Sequence, residues 1–576
     1  MHTLPDLIAH RVDALAERRL YTYLEDGDTD ERILTYGGLH SEASRIAASL
    51  SDIVAPGSRV LLLYPSGIDF ITAFFGTMYA GAIAVPAYPP NPRLARESLG
   101  HLERIVADCN AEAVLTTSEI LESMASLLSA SPVLADLQWL ASDRFDDLGA
   151  SAWQVPELTP SNIAFLQYTS GSTSQPKGVM LTHGNLLANL AAITEAFYGE
   201  QRGCRIASWL PLYHDLGLIA GILLPIFLSG ETVLMSPLHF MQRPVKWLRV
   251  IDRYKIHSSG APNFAFDLCV RGVSEMAKDS LDLSSWKVAC NCAEPVRAET
   301  IRRFSEAFAR CGFEQKAFCP SYGLAESSLL VTGASPDIGP VMREIDHAVD
   351  GANTTGSVMR VSSGVAPSST RIALVDPYSG QALPDGTEGE IWVQSPSIAT
   401  GYWGNREATD ASFAARVHND EDSGAWLRTG DLGLRIEGEL FVTGRIKDVM
   451  TIGGRQIYPQ DVEDLVQSLD KRFKYGSGIA FGIATEDGEG LAIAQETSVL
   501  TADEQEFAVR RMRAAAYQQL HVQLHSIFLL KPGGIPKTFN GKLRRNACKM
   551  AIASGELPIT YESRMGKTLE EMHEPS

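Results

Sequence analysis

The segment Leu166-Gln167-Tyr168-Thr169-Ser170-Gly171-Ser172-Thr173-Ser174-Gln175-Pro176-Lys177-Gly178 sets glycine among hydroxyl residues and closes on a lysine. Ile163-Ala164-Phe165-Leu166 just before it reads as a short buried strand. After it, Leu186, Leu187, Leu190, Ile193 and Phe197 recur at helical spacing. Glycine lets successive backbone N–H groups turn toward one point, and hydroxyls and a lysine add donors there, a chemistry suited to a polyphosphate. It is not a Walker A loop, which needs Gly-Lys-Ser/Thr where this chain has Pro176-Lys177-Gly178. Most Ser/Gly-rich surface loops bind nothing; the alternation of hydroxyls with glycine before Pro-Lys-Gly sets this one apart.

Outward from that loop, strands alternate with helical patterns. Strands are expected at Arg59–Tyr64, Ile83–Val85, Val114–Thr116, Ile163–Gln167, Ile206–Leu210, Glu231–Met235, Ile256–Ser259, Trp286–Asn291 and Ala317–Cys319, with helices such as Asp69–Ala80 and Glu299–Arg310 among them. That rhythm predicts an α/β fold of doubly wound, mostly parallel sheets covered on both faces, with ligands beyond the carboxyl ends of the strands. After about Arg360 the pattern becomes turn-rich, and Ile372–Val375, Glu390–Val393 and Leu440–Thr443 suggest a small antiparallel β unit. The last segment reads as a small α+β domain, with a helix at Pro459–Ser468, a hairpin near Gly478–Glu496, a helix at Ala502–Leu520, a strand at Ile527–Leu530 and a basic loop. The expected boundaries are 1–444 for the large domain (its β subdomain 365–444), 445–448 for a hinge and 449–576 for the small domain.

At 576 residues the chain exceeds one ordinary core. Hydrophobic content of 45% with 21% charge describes a globular protein, and the net charge of −19 argues against nucleic acid or an anionic membrane as partner. Leu216–Leu228, the longest strongly apolar run, is too short to span a bilayer and holds Gly221 and Pro225, so a core helix is expected. The start of the chain shows no secretory signal pattern, and the eight cysteines have no paired metal spacing. Reduced thiols and a cytoplasmic location are expected.

The hydroxyl–glycine segment resembles the phosphate loop of the adenylate-forming superfamily, which includes acyl-CoA synthetases, luciferases and peptide-synthetase adenylation domains. That resemblance implies ATP contacts from Thr169, Ser170, Gly171, Ser172, Thr173 and Lys177. Asn291-Cys292-Ala293-Glu294-Pro295 is similar to the adenine-contacting loop, assigning Ala293, Glu294 and Pro295. Ser321-Tyr322-Gly323-Leu324-Ala325-Glu326 is similar to the next nucleotide motif. Tyr322 would cover the purine face and Glu326 would hold Mg²⁺ beside phosphate oxygens. Relatives often have Thr where Ala325 stands, which puts one phosphate hydrogen bond in doubt. Arg428-Thr429-Gly430-Asp431-Leu432-Gly433 resembles the ribose motif, with Asp431 accepting from the sugar hydroxyls and Arg445 adding a second contact.

Trp209-Leu210-Pro211-Leu212-Tyr213-His214-Asp215-Leu216-Gly217 resembles the motif beside the carboxylate pocket and gives His214 an active-site role. The wall of an acyl tunnel is assigned to Trp209, Gly217, Met235, Ser259, Gly260 and Asn263; a plain core stripe would look the same. Ile535-Pro536-Lys537-Thr538-Phe539-Asn540-Gly541-Lys542-Leu543-Arg544-Arg545 is similar to the superfamily's terminal lysine loop. It implies that Lys542 stabilises the charge that gathers on oxygen as a carboxylate attacks the α-phosphorus. Arg544, Arg545 and Lys549 read as a solvated basic face, and with Lys537 as a local complement to an acidic carrier. Lys447 falls at the family's hinge position.

Ala84-Val85-Pro86-Ala87-Tyr88-Pro89-Pro90, the block Phe165–Thr173 and Tyr322–Glu326 tilt the resemblance toward fatty acyl-AMP ligases, with 334–364 as counterpart of that family's insertion. The implied reaction converts a fatty acid and Mg·ATP to acyl-adenylate and pyrophosphate. The acyl group then passes to a phosphopantetheinylated acyl carrier protein, of a polyketide or nonribosomal peptide synthase for instance. A long-chain acyl-CoA synthetase is the alternative. A catalytically silent binding module is a third, against which Lys542, Glu326, Asp431 and the hydroxyl loop all speak.

Overall fold

The computed structural model describes residues 2–89, 95–128, 131–146, 153, 156–169, 176–346, 357–418, 424–452, 455–473, 476–485, 488–498, 500–537 and 543–565. The chain divides into two compact units. The first comprises Met1–Val341, Val361–Thr429 and Leu434–Phe441; the second comprises Met342–Arg360, Gly430–Gly433 and Val442–Ser576.

The first unit is built on two large sheets, both dominated by parallel pairing. One runs in the order Gln138–Ala141, Ala113–Thr116, Arg59–Leu63, Ile83–Ala87, Ile163–Thr169, Lys177–Thr182 and is antiparallel only at its last pair. The other is parallel from Phe318–Tyr322 through Val288–Asn291, Ser258–Ala261, Arg205–Ser208 and Glu231–Met235 to Arg19–Leu24, with an antiparallel strand on each edge. Strands buried on both faces must be apolar throughout, as Arg59–Leu63 is beyond its first residue. The helix Ile68–Tyr79 is buried all round except at Asp69, because it contributes to one continuous core with both sheets. Leu216–Phe227 is buried as its apolar run predicts, but its first part, Leu216–Leu223, winds as a π-helix before the chain tightens to α at Leu224–Phe227. Gly217 permits this, since a Cβ there would lie 2.1 Å from the Pro211 carbonyl oxygen.

A four-stranded sheet orders Arg371–Val375, Gly389–Gln394, Leu427–Ile436 and Glu439–Arg445. Its last two strands turn at Glu437 and Gly438, both at positive φ, as a tight hairpin requires. The stretch 334–364 is less featureless than its sequence: Met342–Asp346 pairs with Ser357–Val361. These five-residue strands, Met342-Arg343-Glu344-Ile345-Asp346 and Ser357-Val358-Met359-Arg360-Val361, have neither a strict alternation nor an apolar run to announce them.

The second unit wraps helices round the sheet Gly478–Thr485, Gly488–Glu496, Leu524–Leu530, Ile559–Arg564. Alternation along Gly478–Thr485 sends Ala480 to one face, packed with Val462, Val466, Val509 and Met512 of helices Pro459–Leu469 and Ala502–Leu520. Ile479 and Phe481 go to the other face, packed with Cys548 of helix Arg545–Ala553. Buried ion pairs tie this unit internally. Arg360 meets Asp461 at 2.9 Å with side chains 13% and 5% exposed, and Arg545 meets Glu463. Among the described residues no helix is long and apolar enough to cross a membrane, and all eight cysteines are free thiols.

Candidate active site

Thr169 and Lys177 are register partners in the antiparallel pair of Ile163–Thr169 with Lys177–Thr182. The hydroxyl–glycine segment therefore bridges two strands, and a strand that the sequence pattern does not announce precedes the helix His183–Phe197. Ser170, Gly171, Ser172 and Thr173 lie outside the described residues. Gly178 is required by close packing, since a Cβ there would sit 2.9 Å from the Tyr168 ring. The helix starts on a capping box, with Thr182 and Asn185 satisfying each other's backbone N–H groups. His183, its first residue, is buried; Nδ1 accepts from the Leu4 N–H at 3.4 Å, and burial holds its pKa down to about 4.

The outer edge of Lys177–Thr182 is paired by residues 400–403. Trp403 N–H donates to the Gly178 carbonyl at 2.8 Å, and Met180 N–H to that of Gly401 at 2.9 Å. This places the Tyr402 ring 4.8 Å from the Lys177 ammonium, while the Tyr402 hydroxyl donates to Glu326 Oε1 at 2.9 Å. One tyrosine thus joins the lysine expected at the phosphates to the carboxylate expected at the metal. Nothing in the sequence singles Tyr402 out.

Glu326 sits in a short 3₁₀ turn, Ala325–Ser327, that is held from three sides. Buried Asn189 donates to the carbonyls of Ser327 and Leu330 and accepts from Leu330 N–H. Ser328 Oγ donates to the Ser397 carbonyl at 2.7 Å, and Ala399 N–H to that of Glu326 at 2.9 Å. Ahead of the turn, Ser321 and Tyr322 end the strand Phe318–Tyr322, and Tyr322 is half-buried. Gly323 passes so close to the Leu329 carbonyl that a Cβ would fall 1.6 Å from its oxygen. Leu324 is half-buried and Ala325 buried.

The adenine-loop residues follow the strand Val288–Asn291, with Ala293 at φ +67, a left-handed conformation costly for a residue with a Cβ. A fully buried hydrogen-bonded chain, ending on a carboxylate, holds that loop. Asn291 Nδ2 and the Arg297 N–H both donate to Asn263 Oδ1 at 3.1 Å, Asn263 Nδ2 donates to Thr300, and the Thr300 hydroxyl donates to Asp267. Glu294 Oε1 accepts from the Phe264 N–H at 2.5 Å, while Pro295 is exposed. Asn263, expected in the acyl wall, spends its amide on this scaffold.

Of the other acyl-wall residues, Ser259 is buried, accepting from Trp247 Nε1 and donating to the Ala207 carbonyl. Gly260 backs onto Cys290, whose Cβ would lie 3.0 Å from an added Cβ. Trp209 stacks on Phe240 with ring centroids 3.9 Å apart, and its buried indole N–H has no partner among the described residues. Met235 is buried at the end of its strand. His214, part-exposed, pairs through Nδ1 with Asp215. Gln167 donates to the carbonyl of the adjoining Tyr213 at 3.1 Å, linking this segment to the strand that leads into the phosphate loop.

In the second unit, buried Asp431 accepts from Arg445 Nε at 2.9 Å. Lys447 lies in the 3₁₀ turn Ile446–Asp448. Lys542 falls outside the described residues, but both ends of its loop are described. Lys537 pairs with Leu543, Lys537 Nζ donates to the Gly476 carbonyl, and Arg544 N–H to that of Pro536. Arg545 is not on a solvated face as its sequence suggests: it is turned inward onto Glu463 and the Ala480 carbonyl. A partner so remote in sequence leaves no local sign.

The AMP-binding enzyme family matches residues 9–403. The chain is 37% identical to the medium-chain-fatty-acid–[acyl-carrier-protein] ligase JamA of Moorena producens, over 98% of this chain and 97% of that one. It is 35% identical to the long-chain-fatty-acid–AMP ligase FadD32 of Mycolicibacterium smegmatis, over 95% and 93%. Among solved structures, a fatty acyl-adenylate ligase from L. pneumophila in complex with acyl adenylate and pyrophosphate is 36% identical, with a TM-score of 0.74 and 99% of each chain covered.

Proposed function

The chain belongs to the AMP-binding enzyme family, in its fatty acyl-AMP ligase branch, and on that premise we propose that it activates a fatty acid with ATP and hands the acyl group to an acyl carrier protein. In the first step a carboxylate oxygen attacks the α-phosphorus, the bond to the bridging α–β oxygen breaks, and pyrophosphate leaves. In the second, the phosphopantetheine sulfur attacks the acyl carbon, the carbon–oxygen bond to AMP breaks, and AMP leaves with the electron pair. A thiol cannot displace oxide from a carboxylate, so the adenylate supplies the leaving group.

The observation that carries this reading is the convergence of Lys177 and Glu326 on the ring and hydroxyl of Tyr402. A cation at the phosphate loop and a carboxylate next to it are the two charges a Mg·polyphosphate needs. Among the described residues no cluster of three His, Cys, Asp or Glu could hold a metal by itself. A lone half-buried carboxylate suits Mg²⁺, which is commonly held by one or two carboxylates plus substrate phosphates. Glu326 would hold the ion, which when bound screens the charge on the phosphate oxygens. Asp431 takes the ribose hydroxyls, with Arg445 beside it. His214 borders the carboxylate. The second unit acts as a lid turning at Lys447, and Lys542 on its loop neutralises charge built up in the attack.

Mixing labelled fatty acid with ATP and either CoA or a holo acyl carrier protein tests the reading. Pyrophosphate release, with label on the carrier and not on CoA, is expected. Ready acyl-CoA formation would make the protein an acyl-CoA synthetase, and no pyrophosphate release with any alkanoic acid would remove the reaction altogether.

A further inference from the structure

From Phe507 to Gly555 the chain has no Asp or Glu and nine Lys or Arg, although the whole molecule carries −19. Part of this cationic stretch forms the helix Ala502–Leu520, whose inner face (Ala508, Val509, Met512, Ala515, Ala516) is buried. Its outer face is not ordinary solvated surface. Phe507 and Tyr517 are 62% and 61% exposed. At helical spacing Phe507, Arg510, Arg511, Ala514 and Tyr517 fall on one stripe. The Arg511 guanidinium lies 5.8 Å from the Phe507 ring centroid and donates to the Leu469 carbonyl at 2.8 Å, and Arg510, still 76% exposed, pairs with Glu506 one turn back, so the stripe is partly ordered. Exposed aromatics interleaved with arginine have the composition of a docking surface.

We infer that this stripe is where the acyl carrier protein docks, its rings covering apolar positions of an acidic carrier helix and Arg510 and Arg511 facing that helix's carboxylates. The inference rests on the carrier reading above and adds the surface. Charge complementarity selects the occupant: an acidic carrier gains nothing from a chain of net −19 except at a local basic field. The basic loop expected from sequence is the weaker site, because the Arg545 side chain is turned inward onto Glu463 and is only 18% exposed, whereas Arg510 stays 76% exposed. It also lies beside the helix Arg545–Ala553, on the opposite face of the sheet.

The test compares the wild-type chain with Phe507→Ala/Arg511→Glu and with Tyr517→Ala. Three readouts are taken: ATP–pyrophosphate exchange, acyl transfer to a panel of holo acyl carrier proteins, and transfer to free phosphopantetheine, which has no protein surface. Carrier loading should fall by about tenfold or more in kcat/KM, with exchange and free-thiol transfer within about twofold of wild type. Unchanged carrier loading overturns the proposal, as does equal loss with Arg544→Glu/Lys549→Glu alone. If the double variant loses exchange through misfolding, Tyr517→Ala decides by the same criteria. Wild-type enzyme that runs exchange but loads no carrier refutes the carrier reading and this surface with it. Pelleting with phosphatidylserine vesicles that the variants lose, while carrier loading persists, would assign the stripe to a membrane and also overturn the proposal.

Discussion

The two units fix their functional segments by different chemistry. In the first, the adenine loop and the Glu326 turn hang on buried amides and a hydroxyl: Asn263, Asn291 and Thr300 for one, with the Asp267 carboxylate at its end, and Asn189 for the other. In the second, the ties are charged: Arg360 to Asp461, Arg545 to Glu463, Arg445 to Asp431. Amides and hydroxyls add little field of their own, which leaves the charge of that chain on Asp267 at its end. Charged pairs are costly to desolvate and more costly to break, so each one holds its own part of the second unit to a fixed internal geometry.

That contrast can be broken at several points. Asp461→Asn leaves the Arg360 guanidinium buried without its counter-ion, and about 3–5 kcal/mol of stability should be lost in denaturant unfolding of the full chain. A loss below 1 kcal/mol would make the charged ties ornamental. Lys542→Ala should lower adenylate formation by about 10²–10³-fold while ATP binding persists, because on the proposed mechanism it removes a donor needed only in the transition state; unchanged pyrophosphate release would exclude the lysine from the mechanism.

Acid converts a neutral tie into a charged one at His183. Its pKa is pushed down to about 4 in the fold against 6.5 unfolded, so the unfolded chain binds the extra proton first. Stability from this group is complete above pH 6.5 and falls as pH drops toward 4, by about 3 kcal/mol in all. His183→Gln should flatten that part of the stability–pH curve, and an unchanged slope would place the acid sensitivity elsewhere. Asn263→Ala strands Asn291 and the Arg297 N–H and should cost about 1–3 kcal/mol together with a raised KM for ATP; a stability loss with no change in KM would uncouple the scaffold from the nucleotide. The smallest effect is expected from Tyr402→Phe, which keeps the ring under Lys177 but removes the donor to Glu326, a loss of about 1 kcal/mol. It should appear as an altered Mg²⁺ dependence of pyrophosphate exchange, and in Mn²⁺ binding with ATP followed by electron paramagnetic resonance.

The sheets and most helices were legible because a strand covered on both faces has to be apolar and a surface helix has to repeat every three to four residues. Arg59–Leu63 and Ala502–Leu520 announce themselves in this way. The missed features depend on partners distant in sequence. Tyr402 matters because residues 400–403 lie along Lys177–Thr182, and Arg545 is internal because Glu463, 82 residues earlier, waits beneath it. Asn263 resembles any polar residue opening a helix until Asn291 and Thr300 are found on its amide. Lys177–Thr182 escaped notice because the helix beyond it carried the stronger period.

The wide winding of Leu216–Leu223 has a consequence for how such chains diverge. A π-turn is what an α-helix becomes when it absorbs one extra residue, and each residue rotates the helix by about 100°. Deleting a single position between Leu218 and Leu223 would restore ordinary α winding. It would also swing His214 and Asp215 about a quarter-turn away from the direction they now face. In this segment a change in length reaches farther than a change in residue type, so insertions and deletions, rather than substitutions, are the events that would re-aim His214 and Asp215.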